Sequence, residues 1–359
     1  MNILMISTDA KIFEKDSAVR ARMVEYGTLA ARLDIIMLSK NKIKRDVLSS
    51  TVTAYSTGSR SRFRALFRAI RIGKHVGGID LVTVQDPFET GFVGWRISRA
   101  LGARLELQVH TDFMSPCFAA ENIKNKIRVM IAKFLLPKAD CVRVVSERIK
   151  KSISGFTHAP IAVLPIFTDV QKFKNADGSR VRAQFPQFEK IVLVVSRLEP
   201  EKNVVQAIEV FAKIIKTYPK AGLLVVGDGS ERKNLKSQIS NLKLEDSVIF
   251  VGSQKEVASY YAAADVYLHA SFYEGYGLSL VEAYRAGLPV VTTDVGIAGS
   301  VVSGDGVFIC SVGNADCLAD ALLAALLSGG RFIRTLSEIS KEEYLRVYKK
   351  QWESCAIYS

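Results

Sequence analysis

The stretch DVYLHASFYEGYGLSLVEAYRAGLPVVTT, residues 265–293, contains two apolar runs separated by a glycine-rich loop and a segment of helical periodicity. The runs at 265–270 and 288–293 predict strands, and LSLVEAYRAG predicts a short helix that ends at Gly287. Near-continuous apolar strands that alternate with helices are typical of a parallel sheet covered on both faces. The stretch therefore predicts one βαβ unit of an α/β fold.

The same alternation recurs through the chain. Further strands are predicted at NILMIS (2–7), LDIIMLS (33–39), DLVTVQ (80–85), RLELQVH (104–110), CVRVVS (141–146), IAVLP (161–165), IVLVVS (191–196), GLLVVG (222–227), SVIFVG (247–252) and GVFIC (306–310). About six such units lie on each side of a polar segment at 170–190. This organisation predicts two doubly wound domains that bind a ligand at the carboxyl ends of their strands.

Composition narrows the class of protein. With 359 residues, 48% hydrophobic and 24% charged, the chain is globular and long enough for two domains. No apolar run reaches the length of a bilayer span, and the first residues predict a strand rather than a signal peptide. The five cysteines are scattered without a C-x-x-C pair, which predicts neither a disulfide framework nor a zinc site and fits a reducing cytoplasm.

The basic residues are concentrated in one half of the chain. Residues 1–186 contain 31 lysines and arginines against 16 acidic residues, whereas residues 187–359 contain 18 against 20. The first half therefore carries an excess of about +15 and indicates an anionic partner, such as a membrane surface, a nucleic acid or a phosphorylated acceptor.

Two predicted helices within the basic half, 59–75 and 122–138, combine an apolar stripe with cations. The stripes are Phe63, Leu66, Phe67 and Ile70 in the first, and Ile123, Ile127, Met130, Ile131 and Phe134 in the second. The cations are Arg60, Arg62, Arg64, Arg68 and Arg71, and Lys124, Lys126 and Arg128. Such helices can lie on anionic lipid, although each stripe alone also fits packing on the protein core.

Several polar side chains follow strands of the second half. Arg197 and Lys202 lie in SRLEPEKN, directly after the strand at 191–196, and two cations beside a helix start suit a phosphate group. Pairing with Glu199 and Glu201 is the alternative. The later turn VVGDG lacks the third glycine of a dinucleotide fingerprint and does not predict a dehydrogenase.

Glu274 and Glu282 are eight positions apart in the opening stretch. They could form an acid/base pair, contact one ligand twice, or lie on a solvated helix. Gly275 and Gly277 favour a loop before the helix, so that Glu274 lies on the loop and Glu282 about one turn into the helix. The two carboxylates then reach different parts of one extended ligand.

The ordered motifs SRLEPEKN, VVGDG and SFYEGYGLSLVEAYRAGLPVV, with ADCVRVVSE and VLPIFTDVQKF before them, resemble retaining GT-B glycosyltransferases, especially glycosyltransferase family 4, also called glycosyl transferases group 1. The resemblance implies two Rossmann-like domains with an interdomain cleft. The basic acceptor-side domain would span residues 1–175 and be completed by a crossing helix at 341–359, and the donor-binding domain would span 176–340.

The resemblance also implies roles for individual residues. Arg197 and Lys202 would hold the diphosphate of a nucleotide sugar, Glu282 its ribose and Glu274 the hydroxyls of the transferred sugar. The backbone from Gly275 through Tyr276 and Gly277 to Leu278 would contact sugar and phosphate, and His110 would face the donor sugar. His110 and Glu274 are thus the candidate catalytic residues, although Glu274 is not assigned as a nucleophile, and a structural role for His110 remains open.

Two segments depart from the family pattern. A Gly-Gly loop is usual after the first strand, where this chain has residues 9–20 with Asp9, Ser17 and Arg20. The Asn-Gly usual after V-L-P is replaced by Ile166-Phe167. No acceptor-side role transfers to either segment.

The combined prediction is a retaining hexosyltransferase that uses a UDP- or GDP-sugar as co-substrate, a lipid-linked or membrane-proximal glycan as acceptor, and no cofactor. The absence of D-x-D fits a metal-independent reaction in which two cations replace the metal. The resemblance implies front-face attack, in which the leaving phosphate oxygen helps to deprotonate the acceptor. The predicted setting is envelope polysaccharide synthesis at the inner membrane face, without nucleic acid. A GT-B epimerase or phosphorylase, and a noncatalytic lipid- or nucleic-acid-binding protein, are the alternatives.

Overall fold

The computed structural model describes residues 1–41, 43–169, 171–334 and 339–357, which divide into two compact units. The first comprises Met1–Phe167 with Ile339–Ser359, and the second comprises Thr168–Glu338. The predicted boundary after residue 175 therefore lies inside the second unit. The reason is packing, because the buried Phe173 lies edge-on against Tyr261 of the second unit, with ring centroids 5.5 Å apart.

The first unit is built on a sheet of eight strands. The strands are β1 Asn2–Ser7, β2 Arg32–Met37, β3 Arg45–Val47, β4 Val52–Ser56, β5 Leu81–Val84, β6 Arg104–Val109, β7 Cys141–Val144 and β8 Ile161–Val163. Their order is β3-β4-β2-β1-β5-β6-β7-β8, and all neighbours are parallel except β3, which runs antiparallel to β4. The strand order changes direction at β1 and β5, which is where α/β sheets bind ligands.

Seven α-helices belong to the described part of this unit. They are α1 Ala18–Gly27, α2 Arg62–His75, α3 Glu89–Leu101, α4 Pro116–Glu121, α5 Ile123–Leu135, α6 Glu147–Ile153 and the C-terminal helix Lys341–Ile357. The C-terminal helix buries Tyr344, Tyr348 and Trp352 in the core beside β1 and β2. The last two residues of the predicted crossing helix, 358–359, lie outside the described residues.

The second unit contains a sheet of six parallel strands in the order β11-β10-β9-β12-β13-β14. The strands are β9 Lys190–Val195, β10 Ala221–Val226, β11 Val248–Gly252, β12 Val266–His269, β13 Val290–Thr293 and β14 Val307–Cys310. Its helices are α7 Gln171–Lys174, α8 Ser179–Gln184, α9 Val204–Ile214, α10 Arg232–Asn241, α11 Ala258–Ala263, α12 Leu278–Arg285 and α13 Ala315–Ser328, and the C-terminal helix Lys341–Ile357 is accordingly α14. Short 3-10 helices occur at Ala10–Phe13, Leu136–Lys138, Ser154–Phe156 and Pro200–Lys202.

Each of the twelve predicted apolar runs forms a strand, and the fold class of two parallel-sheet, Rossmann-like domains is confirmed. Two strands were not predicted. Strand β4 alternates buried and partly buried residues and β3 is only three residues long, so neither presents a continuous apolar run. Strand β3 is the edge strand and β4 lies next to it, between β3 and β2, in the outer part of the sheet where one-sided burial suffices.

The prediction that the chain has no disulfide framework was wrong, because four of the five cysteines are bonded in pairs. Cys141 of β7 is bonded to Cys355 of α14, and Cys310 of β14 is bonded to Cys317 of α13, while Cys117 is free. Cys141 and Cys355 are separated by 214 residues. Their pairing follows from the return of α14 to the first sheet, which sequence spacing does not reveal.

A thiol titration tests these bonds. The denatured, unreduced protein is expected to show one reactive thiol per chain, from Cys117, and the reduced protein all five. Because Cys141–Cys355 closes a long loop, reduction or Cys355→Ser should lower the free energy of unfolding by about 2–4 kcal/mol. Cys117→Ser is the control and should leave the effect of reduction unchanged. Five reactive thiols without reductant would contradict both bonds.

Candidate functional site

The candidate donor site lies at the carboxyl edge of the second sheet, where the strand order changes direction. Strands β9 and β12 are neighbours there, although they are far apart in sequence. The loop after β9 carries Lys202 and the loop after β12 carries Glu274. The loops are joined directly, because the backbone N–H of Phe272 donates to the carbonyl of Glu201 at 2.9 Å. Sheet order thus brings two predicted site residues together.

Lys202 and Glu274 form a nearly buried ion pair. Lys202 Nζ donates to Glu274 Oε1 at 2.6 Å, and the two side chains are only 14% and 10% exposed. The same carboxylate oxygen accepts from Ser271 Oγ at 3.1 Å and lies 3.2 Å from His269 Nε2. A cation, a hydroxyl and an imidazole therefore converge on one oxygen of Glu274.

These contacts keep Glu274 ionised. Burial alone raises the pKa of a carboxyl group, but the contact with His269 and the positive charge of Lys202 outweigh it and lower the pKa of Glu274 to about 2. At neutral pH the side chain is a carboxylate that can only accept hydrogen bonds. It is suited to binding hydroxyl groups and cannot serve as a proton donor.

Arg197 and Glu199 take different partners. Arg197 Nη2 donates to Glu201 Oε1 at 2.7 Å, and its side chain is 70% exposed. Glu199 instead accepts from the hydroxyl of Ser230 at 2.7 Å. The alternative of pairing with Glu201 is thus confirmed for Arg197. Because an exposed pair of this kind is weak, Arg197 can leave Glu201 and bind a phosphate instead.

Glu282 lies on α12, as the glycine pattern predicted. Gly277 precedes the helix with a φ of +92°, a conformation that side chains rarely adopt. Glu282 Oε2 accepts from the buried hydroxyl of Tyr261 at 2.9 Å. Burial raises the pKa of Glu282, while the hydrogen bond from Tyr261 and the charge of Lys172 oppose the rise. Glu274 and Glu282 therefore occupy different environments.

The remaining residues of the predicted donor segment lie between the two glutamates. Tyr276 is buried and Leu278 is 38% exposed. Gly296 approaches so closely that a Cβ there would lie 2.4 Å from the carbonyl oxygen of Tyr276. Gly275 and its neighbours are thus held against a second loop, and this contact between distant segments was not predicted.

His269 and Tyr261 were missed as candidate residues. His269 is the last residue of β12 and is 3% exposed, and its Nδ1 lies 3.2 Å from the hydroxyl of Tyr267. This contact orients its other nitrogen toward Glu274. Its position at the carboxyl end of a strand was a usable signal. Tyr261 lies within a helix and offered none.

A second concave site lies entirely within the first unit. It has a volume of about 710 Å³ and collects residues that follow β1, β5, β6 and β8, together with side chains of α1 and α14. His110, Ile166 and Phe167 line it, with Arg143 and Tyr344. His110 and the atypical Ile166-Phe167 pair are thus brought to one cavity.

His110 is neutral at ordinary pH. Although it keeps exposed surface on the cavity wall, the surrounding protein limits its hydration, and Arg143 and Arg22 add positive charge, so that its pKa falls to about 4. Its Nε2 lies 3.1 Å from Gln108 Oε1, which can only accept, so Nε2 carries the proton. Nδ1 is then left as an acceptor.

The lowered pKa predicts a pH dependence of stability. Below its ordinary pKa of about 6.5 the unfolded chain takes up a proton on this histidine that the folded protein refuses until about pH 4. Folding stability contributed by neutral His110 is therefore complete above pH 6.5 and lost as the pH falls toward 4. In denaturant unfolding, the free energy of unfolding of His110→Asn should fall less steeply than that of the wild type between pH 6.5 and pH 4. Above pH 7 the free energies of unfolding of the two proteins should change with pH at the same slope. Equal slopes below pH 6 would contradict the lowered pKa of His110.

The polar residues of the atypical first loop have local roles. The Asp9 side chain accepts from the backbone of Lys11, and the Ser17 side chain caps α1. Arg20 pairs with Asp46 at 2.6 Å. Asp9 and Ser17 thus stabilise the loop itself, whereas Arg20 connects α1 to β3. None of the three is among the residues that line the cavity.

The two basic helices expose their apolar stripes instead of burying them. Helix α2 packs through Ala65, Ala69 and Gly73 and leaves Phe63 and Phe67 about three-quarters exposed, at 75% and 74%. On α5 the exposed members are Ile123, Ile127, Met130 and Phe134. The alternative that both stripes face the core is wrong for these six residues. Both helices pack on α3, so the apolar surfaces belong to one unit.

The cations of these helices are not equivalent. Arg68 donates to the carbonyls of Thr57 and Gly58, and Arg128 pairs with Glu89 at 3.0 Å. Burial, with Arg128 and Arg62 nearby, lowers the pKa of Lys124. The surface of α2 and α5 is therefore strongly positive. Arg60, Arg62, Arg64, Arg71 and Lys126 are exposed there.

Within the described ranges, no helix has the length and apolar character needed to cross a membrane. The described residues likewise contain no group of three or more His, Cys, Asp or Glu side chains placed to hold a metal ion.

Comparison with known proteins identifies the family. The model of the family described as glycosyl transferases group 1 matches residues 177–344, and that of Glycosyltransferase Family 4 matches residues 38–172. Together these segments cover most of the chain. The protein belongs to the family 4, group 1 glycosyltransferases.

Two relatives illustrate the range of the family. The chain is 29% identical over 282 residues to alpha-monoglucosyldiacylglycerol synthase of Streptococcus pneumoniae. The aligned segment covers 75% of this chain and 64% of the relative. It is 27% identical over 284 residues to N-acetyl-alpha-D-glucosaminyl L-malate synthase of Bacillus anthracis. That alignment covers 76% of this chain and 72% of the relative. The first match thus spans less than two thirds of that relative's length.

Solved structures show the same fold. Sucrose-phosphate synthase from Thermosynechococcus elongatus superposes with a TM-score of 0.75 at 20% identity and covers 99% of this chain and 97% of that protein. Anabaena HepE, in a complex with UDP-glucose, gives a TM-score of 0.71 at 20% identity and covers 99% and 100%. These similarities establish the GT-B fold class.

Proposed function

We propose that this glycosyltransferase moves a hexose-type sugar from a nucleotide sugar of the UDP or GDP type to a lipid-linked or membrane-proximal glycan acceptor. The transfer retains the anomeric configuration and uses no metal ion. The observation that carries the proposal is the Lys202–Glu274 pair, held 2.6 Å apart at the point where the second sheet changes strand order. Arg197, which precedes the pair in sequence, and Glu282, which follows it, complete the proposed donor site.

The charges of the site suit a nucleotide-sugar donor. Cleavage of the bond between the anomeric carbon and the phosphate oxygen leaves both bonding electrons on the diphosphate. Lys202 and Arg197 stabilise that charge, and Arg197 is free to do so because its exposed pair with Glu201 is weak. Two cations supply the neutralisation that a divalent metal supplies in other transferases.

Glu274 acts in binding rather than as a nucleophile. Its carboxylate is already held by Lys202 and Ser271 and is ionised, which suits hydrogen bonds from sugar hydroxyls. Glu282, on the helix, accepts hydrogen bonds from the ribose hydroxyls. The departing phosphate oxygen takes the acceptor proton as the acceptor oxygen bonds to the anomeric carbon on the same face, so that configuration is retained.

The comparisons favour UDP among the proposed nucleotides and lipid among the proposed acceptors. HepE is described in complex with UDP-glucose, and the Streptococcus relative is named as a synthase of a glucosyldiacylglycerol. The exposed apolar residues and cations of α2 and α5 offer this chain a surface for an anionic membrane. This surface supports the proposal that the enzyme binds the membrane peripherally, and we propose the inner face as its location.

A donor screen tests the proposal. Purified protein is heated in the presence of UDP-, GDP- and ADP-sugars, and the donor should raise the unfolding temperature, since a ligand that binds only the folded state stabilises it. The shift should be lost in Lys202→Ala. With the donor identified, NMR of the product reports the anomeric configuration. Stabilisation of wild type and Lys202→Ala to the same extent, or an inverted product, would contradict the proposal.

A further inference from the structure

Arg143 is an unusual residue of the first-unit cavity. It lies on β7, is 4% exposed, and lines the cavity beside His110 and Tyr348. A fully buried guanidinium is costly unless its donors are paired. The partners of its three nitrogens therefore show what the side chain does.

Two of the three nitrogens have partners within the protein. Arg143 Nη2 donates to the hydroxyl of Tyr348 at 2.6 Å, and Nε lies 3.8 Å from Glu106 Oε1. The guanidinium carbon also lies 3.8 Å from the centre of the Tyr348 ring. These contacts fasten β7 to α14 and constitute a structural role.

The third nitrogen is not explained by that role. Arg143 Nη1 is buried and has no hydrogen-bond partner within the described part of the chain. Guanidinium hydrogens left unbonded in a buried site carry the full desolvation cost. The nitrogen belongs to a side chain that lines a cavity of about 710 Å³, which has room for a ligand of several heavy atoms.

Other charges of the cavity favour an anion. Arg22 and Lys341 are the further cations on its wall, and Glu25 and Asp86 the acids. Glu25 is engaged by Lys341 at 2.7 Å, and Asp86 accepts from the backbone of Phe88 at 2.8 Å. Arg22 thus remains for a ligand, and Arg143 has donor capacity beyond its contacts with Glu106 and Tyr348. Their positive field is already felt by His110, whose pKa they help to lower.

We infer that the first-unit cavity binds an anionic group of the acceptor, a phosphate or a carboxylate, through Arg143, with Arg22 as the second cation. Tyr26, Tyr344 and Phe167 line the same cavity and supply aromatic faces for the remainder of the acceptor. This inference deepens the proposed function, on which it rests, by assigning the acceptor a negative charge.

Binding measurements on the full chain test the inference. All proteins carry Lys202→Ala, so that anions do not bind at the candidate donor site. The probes are sn-glycerol 3-phosphate and L-malate, with glycerol as the uncharged control, measured by calorimetry. We expect both anions to bind more tightly than glycerol, and Arg143→Lys and Arg22→Gln each to raise the dissociation constant of at least one anion about 10-fold or more.

The variants separate a binding role from a structural one. Arg143→Lys keeps the charge near Glu106 but loses the planar fork. Arg22 is exposed on α1, so Arg22→Gln should fold normally. It therefore tests the inference even if Arg143→Lys fails to fold. Arg104→Lys, which alters an arginine paired with Asp140 at 2.6 Å outside the cavity, is the matched control and should leave anion affinity unchanged. Unchanged affinity in Arg22→Gln and in folded Arg143→Lys, or no anion binding at all, would overturn the inference.

Two further arms identify the source of the anion and separate this inference from the proposed function. Phosphatidylglycerol in phosphatidylcholine vesicles is compared with soluble glycerol phosphate. The ligand whose binding depends on Arg143 identifies whether the anionic group belongs to a lipid or to a soluble acceptor. UDP-glucose and the other nucleotide sugars are titrated into the proteins with Lys202 intact. Failure of all nucleotide sugars, with anion binding still dependent on Arg143, would contradict the proposed function and not the anion site. The opposite pattern would contradict the anion site alone.

Discussion

Replacing Lys202 by alanine is expected to lower kcat/KM for glycosyl transfer by about 10²–10³-fold. The ammonium is the only cation within 4.0 Å of Glu274 among the described lysines and arginines, and the pair is nearly buried. Its removal takes positive charge from the leaving diphosphate. It also leaves the carboxylate of Glu274 buried with fewer partners, so the pKa of Glu274 should rise from about 2.

Glu274→Gln provides the complementary measurement. The amide keeps the shape of the side chain but cannot neutralise Lys202, and we expect a loss of kcat/KM comparable to that of Lys202→Ala. Because the two groups form one pair, the double variant should lose less than the product of the single losses. A strictly multiplicative result would mean that the two residues act independently.

A surface pair in the same unit supplies the control. Lys213 bonds Asp316 across exposed surface, with side chains 48% and 89% exposed. Exposed pairs contribute little, so Lys213→Ala should leave kcat/KM and stability nearly unchanged. If Lys202→Ala behaved like Lys213→Ala in steady-state kinetics, the assignment of the donor site would be wrong.

Binding to anionic vesicles should depend steeply on the exposed face of α2. Each cation near an anionic surface contributes about 1 kcal/mol, so Arg62→Gln with Arg64→Gln is expected to weaken binding about 30-fold. Phe63→Ser with Phe67→Ser should weaken it further, because the two rings are 75% and 74% exposed in the protein and would be buried in lipid. Co-sedimentation with phosphatidylglycerol vesicles measures both effects.

The same vesicles offer two controls. Raising the salt concentration should release the wild type, since exposed charges are screened. Lys213→Gln with Lys220→Gln removes the same amount of charge from the second unit and should leave binding intact. Equal binding to vesicles of pure phosphatidylcholine, or indifference to the α2 variants, would refute a basic membrane surface on this helix.

Much of the fold was predictable because its strands are buried on both faces. The run at 222–227 is apolar throughout, and the run at 288–293 is apolar up to its two final threonines, as is typical of strands in a parallel sheet. Strand β4 escaped prediction because its residues alternate between buried and partly buried, one strand in from the sheet edge. The stripes of α2 and α5 were predictable as patterns, but helical periodicity does not say whether a stripe meets the core or the solvent.

The candidate site was predictable as a set of residues and less so as an arrangement. The loop position of Glu274 and the helical position of Glu282 follow from the flanking glycines. The bond between Lys202 and Glu274 joins positions 72 residues apart and exists because β9 and β12 are adjacent. The contribution of His269, 3.2 Å from Glu274, depends on the same adjacency.

By itself the sequence determined the alternation of strands and helices, the family motifs and the concentration of positive charge in the first half. These are properties of neighbouring residues or of composition, and local periodicity and charge suffice to express them. Only the tertiary structure decided the Lys202–Glu274 pair, the pairing of Cys141 with Cys355 and the exposure of Phe63 and Phe67. It also left one nitrogen of Arg143 without a partner among the described residues. Each depends on contacts between distant segments, which strand order and helix packing create and which no short stretch encodes.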